Sequence, residues 1–243
     1  MVFPCVYLYL TALHHTLVRG DVFVYGYVME GQAGSMDCRQ ILGMWFWCLT
    51  LPVGGAFLGL RRRRWWRKLQ KQGVRRAVLP DHLAAEGMRW GIESVEVYTL
   101  RRAMLPQILN RCPSLSGKSV RLAAPYVTAA VGAAAEVLAQ RARYVDLQVG
   151  QGGEALAAHL QRRYGLAVGA VGTVALTVDF GSGSLGRCIA LGEDCAARQQ
   201  VVYHVEKLAS VGVEPQEQLL SALFGAGYLE KEEIQVKTIR FNA

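Results

Sequence analysis

The longest apolar stretch of the chain covers residues 41–60 and contains no Asp, Glu, Lys, Arg or His. As a helix rising about 1.5 Å per residue it would be roughly 30 Å long, which matches the hydrocarbon core of a bilayer. Basic and indole side chains at the end of such a stretch are typical of a membrane interface. The six residues in that position are Arg61, Arg62, Arg63, Arg64, Trp65 and Trp66. The pattern predicts one transmembrane helix over residues 41–60, with its C-terminal side in the cytoplasm.

Two alternatives remain open for this stretch. Pro52 and the pair Gly54 and Gly55 would break a helix in water, so a protein without any span is one alternative. The other is a hairpin of two spans, in which the largely apolar residues 1–18 supply the second span. A cleaved signal peptide is disfavoured because the positive charges follow the apolar stretch instead of preceding it.

Short apolar segments alternate with helical patterns over residues 74–171. The segments predicted as strands are 74–79, 94–98, 118–123, 144–149 and 166–171. The segments predicted as helices, from apolar residues spaced three and four apart, are 100–111, 128–141 and 154–164. Such alternation predicts right-handed crossovers and an α/β fold whose mainly parallel sheet is covered by helices on both faces.

The pattern changes after residue 173. Segments 173–180 and 187–191 flank a glycine-rich loop and predict an antiparallel hairpin at the edge of the sheet. Residues 199–211 place Val202, Val205 and Leu208 on one helical face, which predicts a helix. A final strand is predicted over residues 234–241.

The formal net charge of +8 comes from one block of the chain. Between Arg61 and Arg76 there are nine Lys or Arg residues and no acid, whereas the 16 basic and 16 acidic residues after Arg76 cancel. A nucleic-acid-binding domain more often spreads its basic residues over a folded face, so nucleic acid is disfavoured as a partner. A basic block beside an apolar stretch favours the anionic lipids of a bilayer instead.

Four regions follow from these patterns. Residues 1–40 are predicted as a short N-terminal segment, residues 41–60 as the transmembrane helix and residues 61–76 as a basic juxtamembrane segment. Residues 77–243 are predicted as a cytoplasmic α/β domain that ends in the hairpin and a helical extension. The corresponding localisation is the cell membrane with a single pass, with the lipid bilayer and a cytoplasmic protein as partners.

Three glycine patterns come close to nucleotide-binding motifs. Gly150, Gly152 and Gly153 follow a predicted strand, open a predicted helix and fit G-x-G-x-x-A. Such glycines let backbone amides approach a pyrophosphate at a helix N-terminus. An ordinary glycine turn is the alternative, because the motif follows the fourth predicted strand and no acid lies about 20 residues further on. Residues 181–186 (G-x-G-x-x-G) precede a strand and residues 116–119 lack the first P-loop glycine, so both are interpreted as loops.

The element order over residues 74–180 resembles that of Rossmann-like nucleotide-binding domains. The resemblance is one of architecture, and it implies NAD(P) binding at the Gly150 turn. No catalytic constellation accompanies it: the histidines are dispersed, the six cysteines show no CxxC pair that would bind zinc, and Asp146 would need a partner inside its strand.

Two functions are therefore carried forward. The first is a membrane-anchored protein whose α/β domain serves interaction or regulation, without a catalytic role. The second is an NAD(P)- or nucleotide-binding enzyme or sensor that uses Gly150, Gly152 and Gly153. Contact of the basic block with nucleic acid, through Trp65 and Trp66, is a weaker third.

Overall fold

A computed structural model of the chain describes residues 25–112, 118–142, 144–165, 167–168, 174–181, 188–192 and 199–241. These residues form two compact units. The first comprises residues 25–40 and 45–94, and the second comprises residues 41–44 and the described residues from 95 onward.

The sheet of the first unit has five strands in the order β2-β3-β1-β4-β5. The strands are β1 (Tyr25–Gly31), β2 (Ser35–Ile41), β3 (Met44–Pro52), β4 (Arg76–Val78) and β5 (Glu93–Ser94). Strand β1 pairs in parallel with both β3 and β4, and β4 pairs in parallel with β5. Two helices belong to this unit, α1 (Leu58–Lys71) and α2 (Asp81–Met88).

The predicted transmembrane helix over residues 41–60 is wrong. Residues 44–52 of this stretch form strand β3, and an exposed turn at residues 53–57 then leads into α1, which begins at Leu58. Strand β3 lies between β2 and β1, and both its buried side chains, among them Phe46, Leu49 and Leu51, and its partly exposed Trp45 and Trp47 are uncharged, so its sequence resembles a membrane segment. In the part of the chain that the structure describes, no helix is both long enough and apolar enough to cross a bilayer. The single-pass membrane localisation is overturned with it, and residues 1–18, the possible second span, lie outside the described residues.

Helix α1 packs its inner face into the core of the first unit. Trp66 and Leu69 are fully buried there. The Trp66 indole Nε1 donates a hydrogen bond of 2.8 Å to Glu86 of α2. The core cluster around them, drawn from the strands and both helices, consists of Val28, Leu49, Leu51, Trp66, Leu69, Val74, Ala77, Leu79, Leu83 and Ile92.

The second unit contains a five-stranded sheet, a two-stranded sheet and five helices among its described residues. The larger sheet consists of β6 (Ser119–Tyr126), β7 (Tyr144–Gln151), β8 (Ala167–Val168), β9 (Val174–Asp179) and β10 (Cys188–Ala190). The smaller sheet pairs β11 (Gln199–His204) with β12 (Gln235–Phe241) in antiparallel fashion. The helices are α3 (Tyr98–Arg111), α4 (Ala129–Ala139), α5 (Gly153–Tyr164), α6 (Glu206–Ser210) and α7 (Glu217–Gly225), with a short 3-10 turn at Lys231–Glu233.

All the strand pairs of the larger sheet are parallel, in the order β10-β9-β6-β7-β8. Numbered from β6, this is the order 3-2-1-4-5 of a Rossmann-like sheet. The chain moves from β6 to β7 and β8 on one side, then returns to place β9 and β10 on the other. The direction of winding therefore changes between β6 and β9.

Two sequence-based predictions in the second unit are wrong. Segments 173–180 and 187–191 do not form an antiparallel hairpin, because β9 and β10 pair in parallel. Residues 199–204 form strand β11 in place of the first half of a helix. Val201, Tyr203 and Val205 are buried at alternate positions, which is the period of a strand. The neighbouring Val202 completed a helical spacing with Val205 and Leu208, and this spacing misled the prediction.

Replacing Trp66 with Ala tests the corrected placement of α1. We expect the free energy of unfolding of the first unit to fall by about 3–5 kcal/mol, since a fully buried indole is removed from a packed core. Trp45→Ala is the matched control, because Trp45 is 40% exposed and its loss should cost under about 1 kcal/mol. All five tryptophans lie between residues 45 and 90, so tryptophan fluorescence during urea unfolding reports on this unit. Equal losses for the two variants would contradict the buried placement.

Candidate functional site

The carboxyl ends of β6, β7 and β9 are the places where a parallel α/β sheet binds ligands. In such sheets the crevice lies where the winding reverses, beyond the carboxyl ends of the strands. Here that position lies between β6 and β9. The segments that leave these ends are the turn from β6 to α4, the turn from β7 to α5, and the residues that follow β9.

The turn from β6 to α4 is short and contains no glycine. Thr128 is the N-cap of α4, and its hydroxyl oxygen accepts a hydrogen bond of 3.2 Å from the amide of Val131. Tyr126 and Val127 precede it and are 56% and 37% exposed. The amides at the N-terminus of an α-helix favour negative charge. In dinucleotide-binding sheets the corresponding turn carries the glycine fingerprint. Because this turn has no glycine, the sequence alone did not indicate it as a binding position.

The structure places the predicted cofactor glycines at the carboxyl end of β7, the second strand in the winding order: Gly150 lies in the strand, Gly152 caps α5 and Gly153 is its first residue. A Cβ atom on Gly150 would lie 2.2 Å from the carbonyl oxygen of Pro125, so only glycine fits beside β6. Gly152 is the N-cap of α5 with a φ of 87°, and its Cβ would meet Val127 at 3.1 Å. The backbone amide of Val127 donates a hydrogen bond of 3.0 Å to the carbonyl of Gln151. The glycines therefore let the β7 turn approach the β6 turn closely.

The end of β9 is tightly built. The Asp179 side chain is buried, and its Oδ1 accepts a hydrogen bond of 3.0 Å from the amide of Gly181. The Phe180 amide donates a hydrogen bond of 2.9 Å to the carbonyl of Ala123 in β6. A Cβ on Gly192 would lie 2.5 Å from the Phe180 carbonyl oxygen, so the segment that follows β10 also approaches closely.

Arg102 places a cation at the same edge. Its guanidinium lies 5.5 Å from the centroid of the Phe180 ring, and its Nε donates a hydrogen bond of 2.8 Å to the carbonyl of Leu191. The side chain is exposed, so its remaining N–H groups are open to a ligand. Arg102 is a residue that sequence reasoning missed, because only the fold brings α3 to the ends of β9 and β10.

A buried ion pair fixes the α3 segment that carries Arg102. Arg101 is 2% exposed, and its Nη2 and Nε donate hydrogen bonds of 2.6 and 2.8 Å to the two carboxylate oxygens of Glu217. The Tyr203 hydroxyl donates a further hydrogen bond of 2.9 Å to Glu217. Burial acts to lower the pKa of Arg101, yet the hydrogen bond and charge of Glu217 raise it above its ordinary value. Burial, with Glu217 beside it, raises the pKa of Tyr203 far above its usual range.

The other residues considered from the sequence have structural partners or lie elsewhere. Asp146 is buried inside β7 and pairs with Arg121, its direct neighbour on β6, at 2.8 Å. His159 lies 3.5 Å from Glu136 on the helical surface. Within the described ranges, His, Cys, Asp and Glu side chains form no cluster that could hold a metal ion. The glycine pattern at 181–186 lies mostly outside the described residues, and so does the first half of the Ser-Gly-Lys-Ser sequence at 116–119.

The predicted membrane-interface residues lie on α1 in the first unit. Trp66 is in the core, and Trp65 is half-buried with the Lys68 ammonium 4.2 Å from its ring centroid. Arg62 pairs with Glu86 at 2.8 Å and with Glu30 at 3.3 Å. Three of the predicted residues are exposed on the outer side of the helix: Arg61, Arg63 and Arg64.

Comparison with known proteins gives little support beyond the geometry. No family model matches the chain, and no curated protein is similar to it. One solved structure that is similar is the crystal structure of L-tryptophan dehydrogenase from Nostoc punctiforme, at 16% identity and a TM-score of 0.33. The match covers 79% of this chain, which spans 65% of the length of that protein. A likeness at this TM-score carries no conclusion, and the Rossmann-like order of the second unit rests on its own strand pairing.

Alkaline unfolding of the wild type and of Tyr203→Phe tests the buried pair. Because the pKa of Tyr203 is raised in the folded state, the unfolded chain releases the phenolic proton first, near pH 10.0. The contribution of this group to stability is fully present below that pH and is lost as the pH rises toward the raised pKa. We expect the free energy of unfolding of the wild type to exceed that of the variant by about 1 kcal/mol at pH 8. That excess should shrink above pH 10.0 in urea titrations followed by circular dichroism. A constant difference across this range would contradict the protonated, buried phenol.

Proposed function

We propose that the second unit binds a nucleotide of the NAD(P) class at the carboxyl edge of its parallel sheet. The observation that carries the proposal is the strand order β10-β9-β6-β7-β8, with its reversal between β6 and β9. Sheets of this order bind their ligands beyond the strand ends at that reversal.

The phosphate groups would lie between the N-terminus of α4 and Arg102. Helix α4 begins directly after β6 with Thr128 as its cap, so its first free amides face the carboxyl edge. Arg102 is exposed beside Phe180, which follows β9 on the other side of the reversal. A guanidinium suits phosphate because its N–H groups match the spacing of phosphate oxygens. The site therefore supplies both a helix terminus and a full positive charge.

The ribose would lie at the turn that leaves β7. In dinucleotide-binding sheets an acid near the end of the second strand hydrogen-bonds the ribose 2′-hydroxyl. Gln151 and Glu154 are exposed at this position, and Glu154 lies in the first turn of α5. The proposed roles of Gly150, Gly152 and Gly153 change accordingly, because they hold this turn against β6 and leave the phosphate to α4. The Glu154 carboxylate would then accept a hydrogen bond from a ribose hydroxyl, and its negative charge would strengthen that bond.

The residues present can bind a nucleotide, but the turn after β6 lacks the glycines that usually cradle its pyrophosphate. Tyr126 and Val127 stand where glycines would let the backbone approach a pyrophosphate, so more of the phosphate binding falls to Arg102. When bound, a nicotinamide would supply hydride transfer. The residues of the chain would orient the nucleotide and hold its charge, and whether the unit acts as an enzyme or a sensor depends on the group that approaches the nicotinamide.

Titration calorimetry on the full chain tests the proposal. We expect saturable heat with NADH or NADPH, and weaker or no heat with GTP, whose guanine has a different hydrogen-bonding edge. Absence of heat with NADH, NADPH, ATP and GTP alike would overturn it. Loss of NADH absorbance upon addition of candidate carbonyl substrates would indicate an oxidoreductase, and binding without turnover would indicate a sensor.

Two single variants test the proposed roles of Arg102 and Glu154. Arg102→Ala should weaken binding by about 1.5–3 kcal/mol, the value of a charge-assisted hydrogen bond, while the free energy of unfolding changes little. Its control is Arg162→Ala, another exposed arginine that donates to a backbone carbonyl.

Glu154→Ala should reduce the preference for NADH over NADPH, because a carboxylate at the ribose repels a 2′-phosphate. Its control is Glu206→Ala, which removes an exposed acid from the first turn of α6. An unchanged ratio of the two dissociation constants would place the ribose elsewhere.

A further inference from the structure

The outer side of α1 carries a continuous stripe of cations, independent of the nucleotide site. We define the basic face as the five cations Arg63, Arg64, Arg67, Lys68 and Lys71, which with Leu60 line a shallow groove. At about 100° per residue, Leu60, Arg64, Arg67 and Lys71 lie directly opposite the buried Trp66 and Leu69. The helix thus presents one side to the core and a flat cationic side outward.

The charges of the basic face are not neutralised by the fold. Helix α1 contains no acid, and no ion pair within the described residues involves any of these five cations. Arg62 shows the contrast, since Glu30 and Glu86 pair with it on the inner side.

Exposed apolar side chains stand beside the basic face. Phe57, the N-cap residue, is 78% exposed, Leu60 is 65% exposed and Val53 is 51% exposed. Leu60 lies on the same stripe as Arg64 and Lys71, and Phe57 precedes it by one turn. The segment 53–57 that carries the other two residues has no charged side chain.

We propose that α1 and the segment 53–57 dock on the surface of an anionic lipid bilayer, with Phe57, Leu60 and Val53 in the headgroup region and the basic face against the lipid phosphates. Interfacial binding of this kind combines burial of apolar side chains with attraction to anionic lipids. The protein stays at the surface, and no described segment enters the hydrocarbon core.

A nucleic acid is the competing partner, and the aromatic residues argue against it. Binding of single strands uses open aromatic faces on which bases stack. The Trp65 ring is occupied by Lys68 at 4.2 Å, and Trp90 has Arg63 and Arg67 at 5.9 and 5.8 Å from its centroid. Exposed aliphatic side chains such as Leu60 contribute nothing to contact with a phosphate backbone, whereas a bilayer buries them.

Vesicle co-sedimentation of the full chain tests the docking. We expect binding to phosphatidylcholine vesicles that contain about 30% phosphatidylserine, no binding to pure phosphatidylcholine, and loss of binding as salt rises well above about 0.1 M. Absence of binding to the anionic vesicles at low salt would overturn the proposal.

Three multiple variants separate the contributions. Arg64→Ser/Arg67→Ser/Lys71→Ser should lower the partition coefficient by about a hundredfold. Phe57→Ser/Leu60→Ser should lower it by about tenfold without changing the charge. The control Lys231→Ser/Lys237→Ser/Arg240→Ser removes three exposed cations from the second unit and should bind as the wild type does. Tryptophan emission, which comes from the first unit alone, verifies that the two first-unit variants are folded, and circular dichroism verifies the control variant.

The double variant decides between the two partners. If Phe57→Ser/Leu60→Ser binds anionic vesicles as well as the wild type does, the apolar residues do not insert and the proposal fails. It also fails if the chain shifts a DNA or RNA oligonucleotide at lower concentration than it binds vesicles. Calorimetry with NADH on the same variants reports on the second unit, so failure of one proposal leaves the other intact.

Discussion

Parallel strand pairing is the constraint on which both units depend. Parallel strands need crossover connections that pack against the sheet, so their side chains are largely apolar. In the first unit β1 pairs in parallel with β3 and β4, and Trp66 and Leu69 of α1 join Leu49 and Leu51 of β3 in the core. In the second unit the same pairing brings the carboxyl ends of β6, β7 and β9 to one edge. The burial of the strands and the location of the candidate site thus have one origin.

Local signals predicted two helices beside the candidate site well. The alanine-rich helix over 128–141 is present as α4, and the helix over 154–164 is α5, which ends at Gly165 as its composition indicates. Local signals could not predict the strand order, because the short sequences of β9 and β10 do not indicate which strands they pair with. Residues 199–205 show the limit most clearly, since the strand period that buries Val201, Tyr203 and Val205 coexists with the helical spacing of Val202, Val205 and Leu208.

The transmembrane prediction failed for a physical reason. A bilayer and a protein core both exclude charge, so the absence of charged residues over 41–60 could not distinguish between them. The distinguishing signals were local: Pro52 and Gly55 divide the stretch, and Gly55 has a φ of 100° that no continuous helix contains. The arginines after this stretch were also misread as a membrane interface. They belong to an amphipathic helix whose Trp66 and Leu69 face the core, and Glu30 and Glu86, distant in sequence, neutralise Arg62.

The glycine at position 150 has a consequence for how related chains are compared. Its α-carbon hydrogen points at the Pro125 carbonyl across a gap that no side chain could enter, whatever the protein binds. Retention of glycine there in a distant relative would accordingly measure the spacing of two adjacent strands and would say nothing about a ligand. Variation at Arg102 or Glu154 would instead bear on the proposed nucleotide site.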